Sequence, residues 1–230
     1  MPKTIAIIQS NYIPWRGYFD LIRSVDECIL FDQAQYTKND WRNRNLIKTP
    51  NGLQWLTIPV LHKSLHQKIR DTQIARRNWA QKHWQALLTN YGPSRAFKEL
   101  KPWLESLYNQ CKFTYLSEIN YYFIQAMLDF LGISTKISWD TEYQLKEGKT
   151  EKLLHLVKQA GGTEYLSGPA AKAYLDEDLF KQEHIRITWM DYGHYLPYQQ
   201  LYSPFEAKVS ILDLILNEGK NARNLIAPVL

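Results

Sequence analysis

The sequence predicts an α/β protein in which a mostly parallel sheet is flanked by helices. Thr4 to Ile8 is a short, continuous run rich in β-branched residues, which is typical of a strand buried on both faces. Residues 17–25 then place apolar side chains at helical spacing, and a second apolar run follows at 28–31. A strand, a helix and a strand in this order favour parallel pairing, with ligands bound at the carboxyl ends of the strands.

A helical segment interrupts this alternation. A further strand is predicted at 54–60, and three amphipathic patterns follow it without an intervening strand. The predicted helices span residues 72–91, 94–111 and 117–131. We interpret residues 1–230 as a single α/β domain that carries a helical insertion or subdomain at 72–131.

Alternation returns after residue 131. Short strands are predicted at 136–138, 165–166 and 185–190, and helices at 150–160 and 205–217. The returning strands complete the sheet begun by the N-terminal unit, because sequential strand and helix units add to one parallel sheet.

Composition and charge restrict the classes of protein. Hydrophobic residues make up 45% of the chain and charged residues 22%, which is ordinary globular usage and excludes disordered and fibrous classes. Lys and Arg exceed Asp and Glu by only 28 to 23, which gives a net charge of +5. This mild excess permits an anionic ligand such as a nucleotide or sugar phosphate and does not by itself argue for nucleic acid, which we consider an unlikely partner.

The sequence contains no signal for export or membrane insertion. Residues 1–9 hold no apolar segment long enough for a signal peptide, and no run reaches about 18 apolar residues. Cys28 and Cys111 fall at apolar positions and are expected to be buried free thiols. We therefore expect a cytoplasmic protein without a membrane span.

The loop after the first predicted strand is rich in rings and amides. It runs from Gln9 through Asn11, Tyr12 and Trp15 to Tyr18. Aromatic rings stack on nucleobases and sugars and amides bond their polar groups, although the same rings also fill ordinary cores. Because the loop follows a parallel strand, we predict that these five residues bind substrate.

A basic segment at 35–52 surrounds Trp41. Arg42 and Arg44 are expected to neutralise phosphate or carboxylate, because guanidinium groups bind both bidentately. Asn43 is expected to orient a hydroxyl, and Trp41 to stack on a ring. A solvated basic loop is an equally good interpretation of this segment.

Asp32 follows the second predicted strand and precedes the basic segment. It is the candidate general base, since it is a carboxylate at a strand end close to both predicted ligand loops. A salt bridge with Arg42 or Arg44 is the alternative interpretation.

A third candidate site follows the strand at 165–166. Ser167 precedes Gly168 and Pro169, and the proline is well placed as the first residue of a short helix. Lys172 lies one turn further on. A helix N-terminus beside a hydroxyl and a lysine suits a phosphate, and an ordinary serine-capped turn fits equally well.

Other motifs indicate no metal site. His62 and His66 have the spacing of a metal pair but lack the glutamate expected after the first histidine. The acidic run at 176–178 precedes an apolar pair and is expected to cap a helix. Gly148 to Thr150 looks like the end of a P-loop but lacks its upstream glycine, so Thr150 is expected to be a helix cap.

Several motifs in the same order resemble the WbqC-like protein family. They are Gln9, Tyr12, Pro14, Trp15 and 17–19 in the first loop, Asp32, Trp41 and 43–45, TIPV at 57–60, YLSG at 165–168, YLD at 174–176 and SILDLILNEG at 210–219. The resemblance covers essentially the whole chain, and Asn11 departs from the family pattern, which commonly has proline near this position. It implies a role in O-antigen or other polysaccharide biosynthesis, as a glycine transferase that acts on an amino sugar and works beside other enzymes of that pathway.

The first loop is also similar in outline to the opening of nucleotidylyltransferases. Tyr12, Pro14, Trp15, Gly17 and Tyr18 occupy the corresponding positions, but both histidines of that opening are absent. The likeness predicts a HUP-like sheet with a nucleotide pocket, in which arginine and lysine side chains would replace the histidines electrostatically.

These observations support one leading hypothesis and two alternatives. The leading hypothesis is an aminoacyl (glycine) transferase that activates a carboxylate with ATP and Mg²⁺ and passes it to a nucleotide-linked amino sugar. The cofactor itself is not fixed by the sequence. The first alternative is a non-catalytic sugar-nucleotide-binding partner of another pathway enzyme, and the last is an RNA-contacting protein.

Overall fold

The structure is a computed structural model that describes residues 2–226. In chain order, the strands are β1 (Thr4–Ile8), β2 (Glu27–Leu30), β3 (Arg44–Thr49), β4 (Gly52–Thr57), β5 (Lys136–Trp139), β6 (Glu164–Ser167) and β7 (Arg186–Trp189). The α-helices are α1 (Arg16–Arg23), α2 (Trp79–Tyr91), α3 (Phe97–Gln110), α4 (Leu116–Leu131), α5 (Thr150–Gln159), α6 (Glu177–Gln182), α7 (Ile211–Glu218) and α8 (Ala222–Leu225).

Five strands form one parallel sheet in the order β5-β2-β1-β6-β7. This confirms the predicted α/β fold class. Counted within the sheet alone, the order is 3-2-1-4-5, which is the arrangement of a doubly wound sheet. The chain leaves β1 toward β2 on one side and later returns to pair β6 with β1 on the other. The carboxyl ends of β1 and β6 therefore form a topological switch point, where such sheets bind ligands.

Both faces of the sheet are covered. On β1, Ile5 and Ile7 pack into a cluster with α5 and α6, whereas Ala6 belongs to the larger core on the opposite face. Val157 of α5 and Phe180 of α6 are fully buried in the smaller cluster. An uninterrupted apolar strand is what burial on two faces requires.

The larger core joins the three consecutive helices to the sheet. Buried residues of α2, α3 and α4 share this core with α1 and α7, including Trp84, Leu104, Phe123 and Leu212. We interpret α2–α4 as a helical subdomain built onto a single α/β domain. The helix predicted at 72–91 begins only at Trp79, because residues 72–78 are irregular and make isolated bridges such as Gln73 with Tyr115.

A separate antiparallel hairpin occupies part of the predicted basic loop. Strands β3 and β4 pair from Arg44 with Thr57 to Thr49 with Gly52, and the turn places Gly52 at a φ of +102°. Lys48 is 4% exposed and donates hydrogen bonds to Gln200 and to two backbone carbonyls. The segment is therefore not a solvated loop throughout.

Two further boundaries differ from the prediction. The helix expected at 205–217 begins at Ile211, where the Ser210 hydroxyl accepts a hydrogen bond from the backbone nitrogen of Leu212 at 3.2 Å. Thr150 is the first residue of α5, and its hydroxyl accepts instead from the backbone of Asp176 at 3.1 Å. As predicted, Asp176 caps α6. No helix within residues 2–226 has both the length and the apolarity needed to cross a membrane.

Candidate functional site

A cleft of about 620 Å³ opens at the switch point of the sheet. The residues after β1, the end of β6 and the start of α5 form its walls. Its lining includes Gln9, Asn11, Tyr18, Phe31, Arg42, Gly148, Lys149, Lys152, Tyr165, Ser167, Gly168 and Tyr174. We define this space as the main cleft. Ligands of parallel doubly wound sheets generally bind at this position.

Five of the predicted substrate-binding residues meet in the main cleft: Gln9, Asn11, Tyr18, Arg42 and Ser167. The Tyr18 hydroxyl donates to the backbone carbonyl of Gln9 at 3.2 Å, which fixes the ring against the strand end. Oδ1 of Asn11 accepts a hydrogen bond from the Arg42 guanidinium. The first loop and the basic segment are therefore joined at the edge of the cleft.

The cation content of the cleft exceeds the sequence prediction. Arg42 lines the cleft together with Lys149 and Lys152, and burial lowers the pKa of its guanidinium. Nε of Arg42 has no hydrogen-bond partner within residues 2–226. Lys152 lies 5.7 Å from the ring centroid of Phe31. No Asp, Glu, His or Cys of residues 2–226 lines the cleft, so the charged side chains that line it are all cations.

The backbone of the first loop is held from the hairpin side. The Asn45 carboxamide donates to the carbonyl oxygens of Tyr12 at 3.1 Å and of Ile13 at 2.9 Å. Ile13 has a φ of +37°, a region that β-branched residues rarely occupy, and its side chain is fully buried. The two hydrogen bonds and the burial together maintain this unusual turn next to the cleft.

Tyr12 points away from the cleft and into the helical core. Its ring is fully buried, and its hydroxyl lies 2.9 Å from Nδ1 of His83 and 2.9 Å from the Tyr108 hydroxyl. Burial lowers the pKa of His83 to about 4, which keeps the imidazole neutral at physiological pH. The structure thus places Tyr12 where it anchors the first loop to α2 and α3.

Asp32 is fully buried behind the first loop and does not line the main cleft. Its carboxylate accepts hydrogen bonds from the Ser10 backbone nitrogen at 2.8 Å, from the Ser10 hydroxyl at 2.6 Å and from the Ser117 hydroxyl. Burial raises the pKa of Asp32, and these hydrogen bonds oppose that effect. No salt bridge joins it to Arg42 or Arg44 within the described residues. The arrangement fixes Ser10, the residue next to Gln9.

Trp15 and Trp41 line a smaller pocket of about 180 Å³, together with Pro14, Asn45 and Lys208. Asn11 lines both this pocket and the main cleft, so the two spaces adjoin. Trp41 is 40% exposed and therefore offers a ring face to a ligand. The predicted stacking residues lie beside the cleft and not within it.

Three predicted residues lie elsewhere. Arg44 stacks on Trp55 with its guanidinium carbon 4.0 Å from the ring centroid, and Lys172 is held 5.4 Å from the ring of Trp189. Asn43 is buried and donates to the backbone of Ile58 at 2.8 Å. These contacts hold the three side chains in positions that do not line the main cleft.

Lys149, Lys152 and Tyr174 are cleft residues that the sequence analysis did not select. The positions of the two lysines in the sequence could have indicated a functional role. Both lie at the N-terminal end of a helix, where a cation opposes the helix dipole and is locally unfavourable. Such local conflicts are typical of functional sites. Lys172, which was selected, lies in a short 3₁₀ helix and does not line the main cleft.

The comparisons with known proteins agree with the motif pattern. A family model, described as the WbqC-like protein family, matches residues 9–225. The chain belongs to this family. The uncharacterized protein Rv1507c of Mycobacterium tuberculosis is 52% identical over 221 residues, which are 96% of each chain. No solved structure matches the chain.

The WbqC-like motifs fall into two groups in the structure. Gln9, Tyr18 and the YLSG serine Ser167 line the main cleft. Asp32 and Asn45 instead hold the loops that form it, through hydrogen bonds to backbone and hydroxyl groups. The family pattern therefore marks both the cleft and its supports.

Proposed function

We propose that this WbqC-like protein is a transferase of polysaccharide (O-antigen) biosynthesis, which attaches glycine or a similar carboxylate to an amino sugar after activation with ATP. The observation that carries the proposal is the uniformly cationic cleft at the switch point. Arg42, Lys149 and Lys152 line it without a carboxylate. Such a cleft suits the phosphates of ATP or of a nucleotide-linked sugar.

The first half-reaction fits this set of side chains. A carboxylate oxygen attacks the α-phosphorus of ATP, the bond to the β-phosphate bridging oxygen breaks, and pyrophosphate leaves. The nucleophile is already ionised at neutral pH, so this step needs no general base. It needs positioning and stabilisation of phosphate charge, which Arg42 and the two lysines supply.

The second half-reaction transfers the acyl group to the amino sugar. The neutral amine attacks the acyl carbon, AMP leaves with the bonding electron pair, and the amine nitrogen releases one proton to water. The described lining of the cleft contains no carboxylate or imidazole that would accept this proton. It also offers no carboxylate ligand for Mg²⁺, so no step is assigned here to the metal.

Stacking supports the orientation of a nucleotide. The pocket of Trp15 and Trp41 adjoins the main cleft at Asn11, so a planar ring bound there would lead its phosphates toward Arg42. Gln9 and Ser167 offer polar groups to the remainder of the ligand. Asp32 is buried behind Ser10, which favours positioning of the first loop over direct contact with substrate.

A second candidate function has its own supporting observation. The absence of Asp, Glu, His and Cys from the described cleft lining also suits a non-catalytic sugar-nucleotide-binding partner of another pathway enzyme. Both thiols lie away from the cleft, and burial raises the pKa of Cys111 to about 11. Neither thiol is therefore a nucleophile in this scheme.

The deciding experiment measures ATP–pyrophosphate exchange with glycine and Mg²⁺, alongside equilibrium binding of ATP and of UDP-N-acetylglucosamine. Arg42→Met is compared with Arg44→Met, since Arg44 has the same chemistry but stacks on Trp55 outside the cleft. We expect glycine-dependent exchange, and about a tenfold loss of ATP affinity in the Arg42 variant only.

Each other outcome has a defined meaning. Binding of UDP-N-acetylglucosamine without exchange by a folded protein would replace the transferase with the non-catalytic binding function. Equal loss of affinity in both variants would remove Arg42 from its proposed role. Failure to bind either nucleotide would reject the cleft as a nucleotide site.

A further inference from the structure

A second concave surface lies on the helical side of the molecule. Six aromatic side chains line a groove of about 570 Å³ between α3, α4 and the end of β5: Trp103, Phe113, Tyr121, Tyr122, Phe130 and Trp139. We define it as the aromatic groove. Trp103 pairs with Phe130 at 5.1 Å and Tyr121 with Trp139 at 5.3 Å between ring centroids. The proposed nucleotide site uses none of these residues.

The aromatic groove continues into a polar space. A recess of about 450 Å³ at the carboxyl end of β5 is lined by Asp71, Glu118 and Asp140, which define the acidic recess, with Arg70 among its other residues. Trp139 and Glu118 line both spaces, so the groove and the recess are continuous. A ligand that fills both needs ring faces and a cationic group.

Asp140 is a residue of the recess whose carboxylate is incompletely hydrogen-bonded. The residue is fully buried, and one carboxylate oxygen, Oδ2, accepts from the Gln33 backbone nitrogen at 2.7 Å. Oδ1 is also inaccessible and has no hydrogen-bond partner within residues 2–226. A buried, unpaired carboxylate oxygen costs free energy until a donor or cation satisfies it.

The charges around Asp140 do not neutralise it. Burial raises its pKa to about 6, and the negative charge of Asp32 acts in the same direction. Arg70 and Lys68 oppose the shift only in part, and Arg70 lies 3.5 Å from the carboxylate of Asp71. The carboxylate is therefore ionised at neutral pH and is poised to gain from an added positive charge.

We propose that the aromatic groove and the acidic recess together bind a saccharide that carries a free amino group. The sugar rings stack on the aromatic side chains, and the ammonium group lies in the acidic recess beside Trp139, where the negative charge of the buried Asp140 attracts it. Stacked rings satisfy the apolar faces of a sugar, and an ammonium supplies the positive charge that Asp140 lacks. Within residues 2–226, no three His, Cys, Asp or Glu residues converge as metal ligands, which favours an organic cation here.

The acidic recess and the main cleft share a supporting residue. Ser117 lines the recess and donates to Asp32, and Asp32 also holds Ser10 next to the main cleft. Among the described residues the two spaces share no lining residue, so the recess is connected to the main cleft only through Asp32. The proposed binding of an amino saccharide therefore does not rest on the proposed function.

The test compares two ligands that differ only in whether their amino groups are free or acetylated. Binding of the glucosamine trimer and of the N-acetylglucosamine trimer is measured by titration calorimetry at about pH 7, where Asp140 is ionised. We expect the glucosamine trimer to bind about tenfold more tightly, and Asp140→Asn to remove this preference while binding of the acetylated trimer persists. Equal affinity of the wild type for both trimers, or an unchanged preference in the variant, would overturn the proposal.

Two controls cover a variant that fails to fold. Tyr121→Ala, on the surface of the groove, should weaken binding of both trimers about equally. In the wild type, lowering the pH through about 6 protonates Asp140 and should remove the preference for the charged trimer. A preference that persists at pH values well below 6 would exclude Asp140. ATP binding by the same preparation separates failure here from failure of the nucleotide site.

Discussion

Arg42 donates a hydrogen bond from its guanidinium to Oδ1 of Asn11, and this contact joins the two loops that meet at the main cleft. Arg42 also lies 3.7 Å from Asp40, so its charge is held between a neutral amide and a carboxylate outside the cleft. The orientation of the one arginine in the cleft therefore depends on a residue of the first loop. A change at Asn11 should therefore act on ligand binding through Arg42.

Asn11→Ala should weaken ATP binding by about threefold to tenfold, because Arg42 loses the acceptor that directs it toward the cleft. Equilibrium binding measures the change, and Asn51→Ala in the exposed hairpin turn is the matched control. If Asn11 acts through Arg42, the effect should disappear in an Arg42→Met background. Additive losses in the double variant would show that Asn11 contacts the ligand independently.

Lys152→Gln should separate affinity from stability. Lys152 is in the first turn of α5, where a cation opposes the helix dipole, so its removal should stabilise the fold by about 0.3–1 kcal/mol. The same change should reduce ATP affinity severalfold and make binding less sensitive to salt. Urea unfolding and binding titrations measure the two effects. Lys158→Gln on the same helix is the control, since Lys158 pairs with Glu183 away from the cleft.

Asn45→Ala should destabilise the fold by about 2–4 kcal/mol. The substitution leaves the carbonyl oxygens of Tyr12 and Ile13 without their donor in a buried environment. The first loop should then lose its unusual turn, and ATP affinity should fall with it. Urea unfolding provides the measurement, with Asn90→Ala on α2 as a control that removes only a local helix contact. A loss below about 0.5 kcal/mol would show that the loop holds its shape without Asn45.

The sequence predicted the elements of the sheet better than the direction of individual side chains. The run Thr4–Ile8 is a strand with the predicted bounds, because burial on both faces imposes a continuous apolar pattern. The adjacent loop was correctly placed at a strand end, and Gln9 and Tyr18 line the cleft. Tyr12 lies in the core instead, since the direction of a ring in an irregular loop is set by packing partners that are distant in sequence.

The cleft residues that the sequence did not predict were missed for the same reason, because their positions also depend on contacts that are distant in sequence. Lys149 and Lys152 reach the cleft because β6 returns to pair with β1 and brings α5 with it. A topological return of this kind leaves no local signature except the unfavourable position of the lysines in their helix. Strand β3 was missed because its buried positions include Asn45 and Lys48, which are polar residues satisfied by tertiary contacts.

Glu27→Gln should destabilise the protein at neutral pH by about 2 kcal/mol. Although burial opposes ionisation, hydrogen bonds from Lys3, Ser138, Tyr143 and Lys136 lower the pKa of Glu27 to about 2. A carboxylate with a lowered folded-state pKa contributes stability above its unfolded value of 4.5, and that contribution disappears as the pH falls toward 2.

Urea unfolding over a pH series tests this linkage. The difference between wild type and Glu27→Gln should be constant from neutral pH down to about 5 and should shrink below that. Glu183→Gln is the control, because Glu183 forms an exposed pair with Lys158 and should change stability little at any pH. A difference that is independent of pH would show that lost packing, and not lost charge, explains the effect.

Asp32→Asn should weaken ATP binding severalfold, and with it glycine-dependent ATP–pyrophosphate exchange, while the fold persists. An asparagine keeps the acceptor for the Ser10 backbone nitrogen, and the hydroxyls of Ser10 and Ser117 can rotate to accept from its amide. The two proposed roles of Asp32 then separate kinetically. A positioning role predicts a weaker affinity for ATP, and Ser117→Ala should reproduce part of that loss. A general-base role, which the exchange step does not need, predicts unchanged affinity and exchange, lost transfer to the amino sugar, and a transfer rate that falls as the pH drops through the Asp32 pKa, which burial raises. Because the carboxylate is enclosed by Ser10 and Ser117, we expect the affinity to change, and full turnover in the variant would exclude both roles.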